Sequence, residues 1–92
     1  MGRGPSELTS EERARLARKG EILYGKSCGA GDRGTCAESF IVHQLRLGRV
    51  EVARDLLEFL DDRIAALRRD DPDGLLPATE GLAARIRRLL DR

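Results

Sequence analysis

Residues 36–60 read CAESFIVHQLRLGRVEVARDLLEFL. Gly48 divides this stretch into two runs, and both have helical period. In the first run the apolar positions are Cys36, Ala37, Phe40, Ile41, Val42, Leu45 and Leu47. They cover more than half of a helix circumference, which predicts a buried helix over about 35–47. Thr35 precedes Glu38 by three residues, the capping-box spacing that satisfies the free amides of a first turn. Gly48 can take the left-handed conformation that ends such a helix. The second run starts almost at once and reaches about Arg69. In it, Ala53, Leu57, Leu60, Ile64 and Leu67 are spaced 4-3-4-3, a heptad-like seam, and Val52, Leu56 and Phe59 widen its first half. The expectation is a central antiparallel hairpin of two helices, about 35–47 and 49–69.

The flanks extend the same pattern. Asp70-Asp71-Pro72-Asp73-Gly74 stops the second helix, and Pro77 and Thr79 open another that runs to about Leu90. Its apolar stripe is Leu82, Ile86, Leu89 and Leu90. Upstream, Thr9 and Glu12 form a further capping-box signature, so a first helix is expected from Ser10 to about Lys19, extending at most through Tyr24. Its apolar set is thin: Ala14, Leu16, Ala17, Ile22 and Leu23. Four glycines between 25 and 34 predict a loop there. Residues 1–8 are expected to be a flexible arm. No segment alternates like a strand and no long repeat is visible. The predicted class is therefore all-α: a small four-helix domain over 9–92, with a Gly-rich loop at 25–34, a loop at 70–77, and helices one and four packed around the central hairpin.

Composition narrows the function. The chain has 92 residues, enough for one domain with one modest core. Seventeen cations face sixteen anions, so there is no global attraction to nucleic acid or to an anionic membrane. Only two of the cations are lysine, a composition expected of a GC-rich bacterial or archaeal genome. No apolar run approaches the length of a membrane span and the N-terminus carries no signal-peptide pattern, so the expected location is cytoplasmic. Gly2 and Ser6 fit the loose myristoylation pattern, but a single acyl chain anchors only marginally.

Three motifs need weighing. Gly20–Ser27, GEILYGKS, fits the phosphate-loop spacing. The chemistry needs a strand before the loop, small residues in it and a helix after it. Here a charged helical segment precedes it, bulky Glu21, Ile22, Leu23 and Tyr24 fill it, and Cys28-Gly29-Ala30-Gly31 follows. The stretch KGEILYGKSC is similar to the approach to the haem site of class I cytochromes c. Attachment requires C-x-x-C-H, and the second cysteine and the histidine are both absent. Leu45–Leu60 resembles the turn of a tetratricopeptide hairpin. That implies a tight antiparallel helix pair; the 34-residue repeat does not recur.

Cys28, Cys36 and His43 are the only cysteines and histidine. Three arrangements are open: unlinked thiols, a disulfide around the Gly-rich loop, or a metal site with His43 and a carboxylate. Charged stripes are legible as well. Glu51, Asp55, Glu58 and Asp62 follow helical spacing, as do Arg85, Arg88 and Arg92, and Arg13, Arg15, Arg18 and Lys19 crowd helix one. They are either solvated faces with local ion pairs or a docking surface. The generous apolar face of helix three predicts a symmetric dimer through Leu57, Leu60, Ile64 and Leu67. With no catalytic constellation and no cofactor motif, the leading expectation is a non-enzymatic protein-interaction module: an adaptor, inhibitor or regulatory subunit. The alternative is a metal- or redox-sensing domain built on Cys28, Cys36 and His43. A nucleic-acid role through the arginines of helices one and four ranks below both.

Overall fold

A computed structural model describes residues 8–29 and 35–91. Four α-helices make up the fold: α1 (Ser10–Gly29), α2 (Thr35–Arg46), α3 (Val50–Arg69) and α4 (Leu76–Leu90). No strand occurs among the described residues. The central hairpin is α2 and α3, and each touches all three other helices. α3 packs most extensively on α4.

The hairpin turn follows from Gly48. Its φ is 76°, in the left-handed region. That lets its own amide donate to the Leu45 carbonyl at 3.0 Å and the Arg49 amide donate to the Gln44 carbonyl at 3.0 Å. These two bonds are the pair that closes a Schellman C-cap. A Cβ at this φ meets the backbone, so Gly48→Ala is expected to cost about 1–2 kcal/mol. A chemical denaturation midpoint lowered at unchanged slope would register it.

α1 begins at the predicted capping box. The Thr9 amide donates to Glu12 Oε1 at 3.0 Å, and the Glu12 amide donates to Thr9 Oγ1 at 3.1 Å. Leu8, assigned to the flexible arm by its sequence, packs against the core instead; residues 1–7 lie outside the described residues. The Gly-rich loop expected at 25–34 needs a larger correction. α1 continues unbroken through Gly20 and Gly25 to Gly29, while 30–34 lie outside the described residues. Helical glycine costs about 1 kcal/mol, and tertiary contacts offset it. Gly20 is buried where α1 faces Phe40 of α2 and Leu56 of α3. A Cβ there would sit 3.5 Å from both Phe40 Cε2 and Leu56 Cδ1. One turn later, Tyr24 is 4% exposed and sets its ring edge-on to Phe59, centroids 5.6 Å apart. Its hydroxyl reaches Thr79 Oγ1 of α4 at 2.8 Å, and that oxygen in turn donates to the Leu75 carbonyl at 2.8 Å. These contacts anchor the turns that lead up to Gly25.

The cap of α4 also differs from its sequence reading. Pro77 and Thr79 lie inside the helix, and Asp71 holds its start. Asp71 Oδ1 accepts from the Leu75 amide at 2.7 Å and Oδ2 from the Leu76 amide at 2.9 Å. One carboxylate thus satisfies two free amides and places negative charge at the positive end of the helix. Asp71→Ala is expected to cost about 0.5–2 kcal/mol, read as a lowered midpoint with loss of amide protection at 75 and 76.

The seam of α3 turns inward. Leu60 is 0%, Ile64 7% and Leu67 4% exposed, and Leu57 packs half-buried against the same core. Opposite them lie Leu82, Ala83 and Ile86 of α4, all fully buried. Leu60, Ile64 and Leu67 are therefore core residues of the single chain, and Leu57 is half-buried beside them. Much of the apolar surplus that suggested a second chain is covered by α4 of the same chain.

Candidate interaction surface

Of the residues singled out as metal or redox candidates, Cys36 and His43 lie on α2 and Cys28 lies in the last turn of α1. Cys36 and His43 are both exposed, on its solvent side, while Phe40 between them points inward. Seven residues of helix separate the two by about 10 Å along the axis, too far to share one ion. Together with Thr35, Glu38, Ser39, Val42 and Arg46, His43 lines an open depression of about 370 Å³. The side chain of Cys28 lies outside the described residues. Among the described residues, no three His, Cys, Asp or Glu side chains are grouped so as to hold a metal ion.

The charged stripes are partly consumed by pairing between helices. Arg13 of α1 meets Asp55 of α3 in a two-pronged contact, Nε to Oδ2 and Nη2 to Oδ1, each 2.8 Å. The hydrogen bond to Asp55, then its charge, raise the Arg13 pKa above the ordinary value, with Glu51 and Glu58 adding to the effect. Arg85 Nε donates to Glu38 Oε1 at 2.5 Å, tying α4 to α2. Arg68 pairs with Glu80 at 3.1 Å, and Arg87 pairs with Asp61, both between α3 and α4. Glu58, Asp62 and Arg88 remain exposed. Arg92 lies outside the described residues. Arg13, Asp55 and Arg85 of these stripes thus act as local clamps between neighbouring helices. Exposed pairs of this kind contribute little individually, but they favour one arrangement of helices over others.

A different surface emerges on α1. Because the helix runs unbroken, its inner face is Leu16, Gly20, Leu23 and Tyr24. Its outer face is then Arg15, Arg18, Ile22 and Lys26, all exposed. Ile22 is 56% exposed, and among the described residues every other large apolar side chain is at least partly covered. Lys19 borders this face with its ammonium 5.6 Å from the centre of the Phe40 ring. The sequence alone counted Ile22 in the thin apolar set of a helix continuing as far as Tyr24. A helical wheel continued through both glycines puts Ile22 among the cations instead.

No known protein family matches this chain, and neither a curated protein nor a solved structure shows significant similarity to it. Among the described residues, no helix is long and apolar enough to cross a membrane.

Proposed function

We propose that this chain is a small non-enzymatic module that binds another protein, in the manner of an adaptor, inhibitor or regulatory subunit. The observation that carries this reading is Ile22. A bundle of this size buries its other large aliphatic side chains wholly or partly, yet holds one isoleucine out on a rigid helix. An exposed apolar side chain ringed by charge has the layout of a binding hot spot, an apolar anchor with a polar rim. The metal- or redox-sensing alternative gains no comparable support, since Cys36 and His43 stand too far apart along α2.

The test is comparative recovery of partners. The tagged native chain and its Ile22→Asp variant are each used to capture proteins from the native cell, and recoveries are quantified side by side. The reading expects at least one protein retained by the native chain and lost from the variant. Ile22 is exposed, so the variant keeps its fold, which circular dichroism would verify. Identical recoveries would contradict the reading.

A further inference from the structure

The outer face of α1 also specifies what kind of partner fits it. Arg15, Ile22 and Lys26 lie within about 40° of one another around the helix, at 3.6 residues per turn. Arg18 and Lys19 flank them on either side. Three cations, Arg15, Arg18 and Lys26, thus surround one isoleucine within about 16 Å of helix, the length of three turns, while Lys19 holds its ammonium against the Phe40 ring. Among the described residues, Arg15, Arg18 and Lys26 have no carboxylate partner, whereas Arg13, Arg68, Arg85 and Arg87 are each paired. Glu21 is half-buried and lies about 100° from Ile22, towards the bundle, and the one exposed carboxylate of α1 on the same face, Glu11, stands a turn before Arg15, at the N-terminal end of the cation cluster.

We propose that this face docks an acidic amphipathic helix of a partner protein. One apolar side chain of the partner would cover Ile22, and carboxylates one turn to either side would meet Arg15, Arg18 and Lys26. Charge complementarity sets the sign of the partner. The isoleucine favours a protein over a polyanion, because phosphates would leave it in water. Nucleic acid is disfavoured again by the exposed Glu58, Asp61 and Asp62 on neighbouring α3. The inference rests on the protein-binding reading above and adds the chemistry of the partner.

The test is a titration of the isotope-labelled full chain, followed through its amide resonances. Three probes are used: a 14-residue helical peptide with one leucine stripe flanked by glutamates, the same peptide with lysines in place of the glutamates, and a short DNA duplex. The glutamate peptide is expected to shift amides within residues 15–26, and more weakly as salt is raised. Ile22→Ser is expected to weaken it about tenfold, the effect of losing one buried aliphatic contact. Arg18→Glu is expected to weaken it several-fold. The lysine peptide should leave the α1 resonances unmoved. The proposal is overturned if the glutamate peptide does not move α1, if Ile22→Ser binds it equally well, or if the lysine peptide binds alike. Stronger shifts of the same amides by DNA would also overturn it. A partner captured through Ile22 whose contacting segment is basic or uncharged would overturn this inference and leave the protein-binding reading standing.

Discussion

Leu60→Ala is expected to lower the unfolding free energy by about 2–5 kcal/mol, the range for deleting a leucine from a packed core. Leu60 has no exposed surface and belongs to the same core cluster as Leu82, Ala83 and Ile86 of α4. Domains are typically stable by only about 5–15 kcal/mol, so this single truncation can remove a large fraction of the total. The experiment also separates the two readings of the α3 seam. If the seam is core, the loss is the same at every protein concentration. If it were a subunit interface, the native midpoint would rise with concentration and the variant would abolish that dependence. Urea unfolding at two concentrations a hundredfold apart would distinguish them. A loss below about 1 kcal/mol, or a concentration-dependent midpoint that Leu60→Ala abolishes, would contradict the placement of Leu60 in the core.

Thr79→Val should cost about 1–3 kcal/mol, although the volume change is small. The Thr79 hydroxyl donates to the Leu75 carbonyl, so its lone pair is what receives the Tyr24 hydroxyl. Valine removes that acceptor and leaves a phenolic O–H buried without a partner, the expensive half of a broken hydrogen bond. Tyr24→Phe removes the donor and leaves Thr79 still bonded to Leu75, so it should cost only about 0.5–1.5 kcal/mol. The double variant should then cost less than the sum of the two, because no orphaned hydroxyl remains. Additive losses would show that the two hydroxyls are not energetically coupled. The pair ties α1 to α4 across the bundle and so helps hold the outer face of α1 in register with the core.

The central hairpin was legible from Gly48 and the apolar periods on either side of it. The first capping box was legible too, because Thr9 and Glu12 act locally. What escaped reading was tertiary. Gly20 and Gly25 look like breaks when only propensity is weighed. They stay helical because Tyr24 is anchored by Phe59 and Thr79, residues 35 and 55 positions away. The α4 cap came from Asp71, four residues before Leu75, rather than from the proline and threonine nearer the helix. The 4-3-4-3 seam of α3 was read correctly as a buried face, but its partner was α4 of the same chain. Sequence periodicity identifies a face that must be covered without naming what covers it. The candidate site was the least visible part: Ile22 joins Arg15 and Arg18 on one face only if the helix passes through Gly20, and Lys26 joins them only if it passes through Gly25 as well.

The central claim is that the outer face of α1, with Ile22 at its centre, is where this chain meets another protein. The most direct measurement replaces Ile22 with a photo-crosslinking amino acid in the full chain, expressed in its own cell, with Arg63 on exposed α3 replaced in parallel. The account predicts a covalent adduct of defined mass from position 22 and none from position 63, with the position-22 adduct lost when Arg15 and Arg18 are changed to glutamate. No adduct from position 22, or the same adducts from both positions, would contradict it.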